Sequence, residues 1–228
     1  MRKIIQIPLL FLIVFYAGQT LAHNPRLVWD TKNTAISPIL IEKPEISQAF
    51  YGILKNKPEY YKIKIEKPSI IYFGLLVPEN NNASLGLSAK LIKLDSPDSD
   101  IKMYLDGNKI IWESYFEEFA GDFYLKGPEE TKYLRKGEYL LEITSEDNVG
   151  KYVLTVGQDE SFPLNEAMKT IISLPKLKIG FFEEPVYMLA SGILGKILAA
   201  LDLFLLLLVL MSLRKVRESK QYKRKRYK

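Results

Sequence analysis

One stretch, residues 187–213, constrains this chain more than any other. It holds 27 residues with only two charges, Lys196 and Asp202. About 20 apolar residues suffice to cross a bilayer as a helix. The sequence RKVRESKQYKRKRYK follows at once, with nine Lys or Arg against one Glu. Basic residues abutting a span mark its cytoplasmic side. The expected arrangement is a single-pass type I protein of the cell membrane: a transmembrane helix over 187–213, a cytoplasmic tail over 214–228, and everything earlier outside the cytoplasm.

The N-terminus points the same way. Arg2 and Lys3 precede an apolar run over residues 4–16, and Thr20-Leu21-Ala22 offers small residues for cleavage. That run is too short to span comfortably and reads as a signal peptide over 1–22, with His23 as the new terminus. The tail carries +8 and the signal segment +2, so residues 4–213 sum to −5 beneath a formal total of +5. The exported part is mildly acidic, and the high pI is no argument for a nucleic-acid partner. With no cysteine in the chain, disulfides, thiol catalysis and thiolate zinc sites are excluded, and the exported domain must rest on its hydrophobic core.

Between the two membrane signals, a Pro- and Asn-punctuated segment (23–44) is expected to run extended. Short alternating, β-branched or aromatic runs then predict strands near 48–54, 60–65, 70–77, 87–94, 101–105, 109–112, 121–125, 138–144 and 151–156. Asp106-Gly107, Lys136-Gly137 and residues 147–150 supply turns between them. Many short strands with regular turns predict a mainly β fold, an antiparallel β-sandwich over 45–157. A linker over 158–186 then begins with a short helix, Ser161 being its candidate cap and Pro163 lying in its first turn. A basic and aromatic stretch, 176–185, leads to the membrane.

Three stretches carry a family resemblance: residues 98–107 (DSDIKMYLDG), 136–143 (KGEYLLEI) and 150–156 (GKYVLTV). The region 45–157 resembles the bacterial pre-peptidase C-terminal domain through that family's Asp-rich strand start, its Gly-x-Tyr strand and its closing Tyr-x-Leu strand. The resemblance implies a jelly-roll-like sandwich. Some domains of that family bind calcium near the Asp-rich strand, which makes Asp95, Asp98, Asp100 and Asp106 the candidate metal ligands. Calcium, a hard cation, takes six to eight oxygen ligands. Calcium is the candidate cofactor, and a solvated acidic turn without any is the alternative. The family's domains usually trail a secreted hydrolase, whereas no catalytic domain is expected ahead of the sandwich here, which sets this chain apart from that protease association.

The stretch WESYFEEFAGDFY (112–124) is the most unusual. Trp112, Tyr115, Phe116, Phe119 and Phe123 recur at helical spacing with Glu113, Glu117 and Glu118 off that stripe. The expectation is an amphipathic turn, either capping the sandwich or offering Trp112, Tyr115, Phe116 and Phe119 as a partner-binding surface for a protein or glycan. Glu113 and Glu117, one helical turn apart, could in principle act as an acid–base pair, but such pairs are common on ordinary helices. The lone histidine, His23, excludes a histidine-based triad and a histidine-rich zinc site, so a non-catalytic module is expected. Asn82 begins a glycosylation triplet. On the membrane helix, Ser191, Gly195, Ala199 and Asp202 fall on one face. Small residues there admit a second helix, and a carboxylate at that depth calls for a polar partner. Two readings result: an extracytoplasmic module binding another membrane or surface protein or a glycan, or an accessory subunit assembled through its transmembrane helix.

Overall fold

A computed structural model describes residues 23–80, 83–94, 100–161 and 163–226. The expected signal peptide over 1–22, and with it Asn82, Asp95 and Asp98, lies outside the described residues. Eleven strands form two facing sheets among them. The first contains β1 (Asn24–Leu27), β3 (Gln48–Lys55), β11 (Val149–Val156), β5 (Ser69–Pro78), β9 (Asp122–Leu134) and β8 (Glu113–Glu117), in that order. The second contains β2 (Ile39–Ile41), β4 (Glu59–Ile65), β10 (Gly137–Thr144), β6 (Ser88–Lys93) and β7 (Ile101–Leu105). Pairing is antiparallel except at one edge of each sheet, where β1 runs parallel to β3 and β2 parallel to β4. Both parallel edge strands come from the segment expected to be merely extended.

Period-two burial explains the sandwich. Along β10, Tyr139, Leu141 and Ile143 are buried while Glu138 and Glu142 face outward to Lys62 and Lys90 (2.7 and 2.6 Å). Opposite them, Phe73, Ile71 and Leu75 of β5 and Tyr152 and Leu154 of β11 complete the main core. Inside it the Tyr61 and Tyr152 hydroxyls meet at 2.7 Å, and Tyr152 donates to Glu59. Burying two phenols is tolerable because each hydroxyl finds a partner.

Along β11, residues 152–156 are buried on both faces. The outward one is covered by a third layer: helix α1 (Leu164–Lys176), a π-helical turn (Leu177–Phe182) and a 3-10 turn (Val186–Ser191). Leu174, Leu177, Phe181 and Phe182 from this layer pack on Ala49, Tyr51, Tyr124 and Val153 as a second core. Phe181 sits edge-on to Tyr51 (5.1 Å) and stacks on Trp29 (5.7 Å). The stretch expected as a linker is therefore part of the folded domain. Pro163, with no side-chain hydrogen bond, occupies the N-cap of α1 in place of the expected Ser161.

Helix α2 (Ile193–Arg226) follows, and Gly195–Arg217 within it is long and apolar enough to cross a membrane, with a mean hydropathy of 2.4. The expected span began at residue 187, but 186–191 are spent on the 3-10 turn. The strand expected over 109–112 is absent. That segment is a loop whose Trp112 indole donates to the Gly107 carbonyl (2.9 Å) and packs against the main core.

Candidate functional site

The aromatic stretch folds as a β-hairpin, which corrects the helical reading. β8 and β9 pair in the register Tyr115↔Tyr124, Phe116↔Phe123 and Glu117↔Asp122. Two local features turn the chain. Gly121 has φ +73°, the left-handed region that favours glycine. The Glu117 carboxylate accepts from the Phe119 and Ala120 amides at 2.9 and 2.8 Å, satisfying donors that the tight turn leaves unpaired. Burial raises the Glu117 carboxyl above its ordinary range, and those amides act against the rise.

Strand alternation then disperses the four aromatic candidates. Tyr115 points to the outer face of the first sheet. Phe116 points to the opposite face, at the rim, against Phe123 with ring centroids 4.7 Å apart. Phe119 lies in the hairpin tip, and Trp112 precedes the strand. The same geometry separates Glu113 from Glu117 by about 13 Å along β8. Glu117 is committed to the turn, so the two carboxylates form no acid–base pair.

Tyr115 does line a cleft. Where α1 leaves the outer face uncovered, a cavity of about 560 Å³ is walled by Tyr72, Tyr115, Lys126, Glu129, Gln158 and His23, among others. Tyr72 donates to Glu129 (2.6 Å), and Lys126 pairs with the other oxygen of that carboxylate (3.0 Å). The Tyr72 bond and the lysine hold Glu129 below the usual carboxylate range. Burial foremost, then Glu129, pushes the Tyr72 phenol well above its ordinary value. His23 contacts the Ser47 hydroxyl at 2.5 Å, and burial lowers its pKa to about 4. At neutral pH the cleft thus presents the Glu129 carboxylate fixed by Tyr72 and Lys126, the neighbouring Glu130, a neutral imidazole, a lysine and two phenols. These groups can hydrogen-bond and stack on a ligand; the Ser47 hydroxyl meets the His23 imidazole as a nucleophile would meet a base, but burial lowers the pKa of that imidazole and so leaves it a weak one.

The other predicted sites are placed as follows. Asp100 and Asp106 flank the five-residue β7, roughly 20 Å apart by strand rise. Asp100 pairs with Lys102 and Asp106 with Lys109 (3.0 Å). On α2, Gly195, Ala199 and Asp202 share a helix, whereas Ser191 lies before it in the 3-10 turn.

Ser191 instead belongs to a junction that the sequence reading missed. Its hydroxyl lies 3.1 Å from the Gly121 carbonyl, and the Ile193 amide donates to the Glu118 carbonyl (2.8 Å). A Cβ on Gly192 would meet the Phe119 carbonyl oxygen at 2.5 Å, so the two backbones touch. Beside this contact Lys178 is almost fully enclosed. Its ammonium pairs with Asp122, donates to the Gly121 carbonyl and Glu184 (both 3.2 Å) and sits 5.5 Å from the centre of the Phe182 ring. The hairpin tip, the π-helical turn and the start of the membrane helix are joined at one point. One signal in the sequence was available: Lys178 lies four residues after Leu174, one helical turn on and so on the face that Leu174 buries.

No family model matches this chain, and no curated protein matches it. Among solved structures, the chain is similar to the pre-peptidase C-terminal domain of collagenase from Bacillus anthracis (16% identity, TM-score 0.35), covering 55% of this chain and 99% of that one. It is also similar to PliG, a periplasmic lysozyme inhibitor of g-type lysozyme from Aeromonas hydrophila (9%, TM-score 0.34, covering 58% and 97%). A third is CorA, a surface-associated copper-binding protein of Methylomicrobium album BG8 (10%, TM-score 0.31, covering 54% and 98%). The first of these is a domain of the kind that the sequence motifs resemble, and the likeness concerns the fold.

Proposed function

We propose that this chain is a membrane-anchored, non-catalytic binding module whose sandwich stands outside the cytoplasm and takes a polar partner, a glycan or a peptide segment of a surface protein, in the Tyr72–Tyr115 cleft. The topology rests on the signal-like N-terminus and the basic tail. The observation that carries the binding role is the cleft itself. Its tyrosines stand on sheet strands, and its charges are already held by Tyr72 and Lys126, so a ligand meets groups that need little reordering.

Tyr115 is half-exposed and outside the main core, so its truncation separates binding from folding. The experiment screens the full chain in detergent against arrays of cell-envelope glycans and peptides, beside Tyr115→Ala. The expected result is capture of a defined ligand class by the parent, weakened by about tenfold or more in the variant, with thermal unfolding little changed. Equal capture by both proteins, or none by either, contradicts this assignment.

A further inference from the structure

Helix α1 carries two apolar faces, and the sandwich uses only one. Thr170, Leu174 and, just beyond the helix, Leu177 turn inward. On the other side Leu164, Met168, Ile171 and Ile172 recur at spacings of three and four, forming a stripe about 100° wide. They are 79%, 50%, 41% and 64% exposed, and Ile179, 59% exposed, continues the line beyond the helix. Lys169 and Lys176 follow one border of the stripe. A water-exposed stripe of four large aliphatic side chains on a single helix is unusual for a surface that meets only solvent.

The junction at the hairpin tip says what lies near it. Thr170, Leu174 and Leu177 line one cavity of about 40 Å³ together with Phe119 and Ala120 of that tip. The tip is bonded to Ile193 through the Glu118 carbonyl, and the membrane-crossing stretch begins at Gly195. Two residues of helix are about 3 Å of rise. The headgroup layer on each side of the hydrocarbon is about 5–7 Å deep. The hairpin tip is thus held at headgroup depth, and α1, which packs on that tip and runs beside the 3-10 turn, is held there with it. Tyr187, 74% exposed in that turn, has the amphipathic ring typical of the membrane–water boundary.

We infer that α1 is an interfacial helix: its Leu164–Met168–Ile171–Ile172 stripe lies in the outer boundary of the same bilayer that its own span crosses, with Lys169 and Lys176 reaching the lipid phosphates. The partner is the lipid surface. An apolar stripe bordered by lysines is the pattern that such helices present to it, and the short tether to Gly195 keeps the stripe beside it. The sandwich then has a fixed attitude to the membrane and cannot swing freely on its anchor.

The chain has no cysteine, so single labels are clean. Spin labels at Met168→Cys and Ile172→Cys are read in phospholipid nanodiscs loaded at one chain per disc, with Lys136→Cys as the water reference and Leu207→Cys as the hydrocarbon reference. The expected result is an oxygen-to-nickel accessibility ratio at 168 and 172 between the two references and well above that of 136. Labels as accessible to aqueous nickel as position 136 overturn the inference. So do labels shielded from both reagents, which would mean that protein covers the stripe.

Discussion

Burial holds the His23 imidazole neutral down to a pH of about 4, against an ordinary value of 6.5. Between those values the unfolded chain binds a proton that the folded one does not. The stability this group contributes is therefore full above pH 6.5 and is lost as pH falls towards 4. Because the ring is in part exposed, the loss is discounted to about 1–2 kcal/mol. Thermal unfolding of the full chain and of His23→Gln, compared from pH 7 to 4, isolates it from the carboxylates. The stability difference should move against the parent across that window and level off below it; a flat difference contradicts the buried setting. Nothing in the sequence foretold this burial, since the pairing of β1 with β3 is what sets His23 against Ser47, 24 residues away. Tyr115 shows another case: it lines the cleft from a strand, and not from the expected amphipathic turn.

The elements separate into those written locally and those fixed by distant contacts. β3, β4, β5, β10 and β11 are legible as short β-branched or aromatic runs bounded by turns, and in β4 Ile63 and Ile65 alternate with Lys62 and Lys64. The hairpin over 113–134 was not, because Tyr115, Phe116, Phe119 and Phe123 also satisfy a helical period. What decides between the two is the Gly121 turn and the Glu117 carboxylate that closes it. β1 and β2 are too short to show a pattern, and they exist because β3 and β4 offer edges. The third layer was hidden by Lys178, whose charge in LPKLKIGFF looks like a linker until Asp122 is placed against it. That pair predicts a measurable asymmetry. Lys178→Met leaves Asp122 buried without its cation and should cost about 3–5 kcal/mol in urea unfolding of the detergent-solubilised chain. Lys178→Met with Asp122→Leu should recover most of that loss. Equal loss in single and double variants would show that the lysine stem, and not the buried charge, matters.

At the scale of the whole molecule, a two-sheet sandwich, a helical cover and a membrane-length helix meet at the contact between residues 118–121 and 191–193. The span and its basic flank were legible from composition alone, because crossing a bilayer imposes a length and an apolarity that few other segments meet. The junction was not, since it depends on two glycines, Gly121 and Gly192, brought together from 71 residues apart. Every part of the functional reading depends on which side of the membrane the sandwich occupies. Single cysteines placed at Lys136 in the sandwich and at Gln221 in the tail, reacted in intact cells with a membrane-impermeant maleimide, test this most directly. The account predicts that position 136 is labelled at once and position 221 only after the membrane is opened. Labelling of 221 with protection of 136 would contradict it.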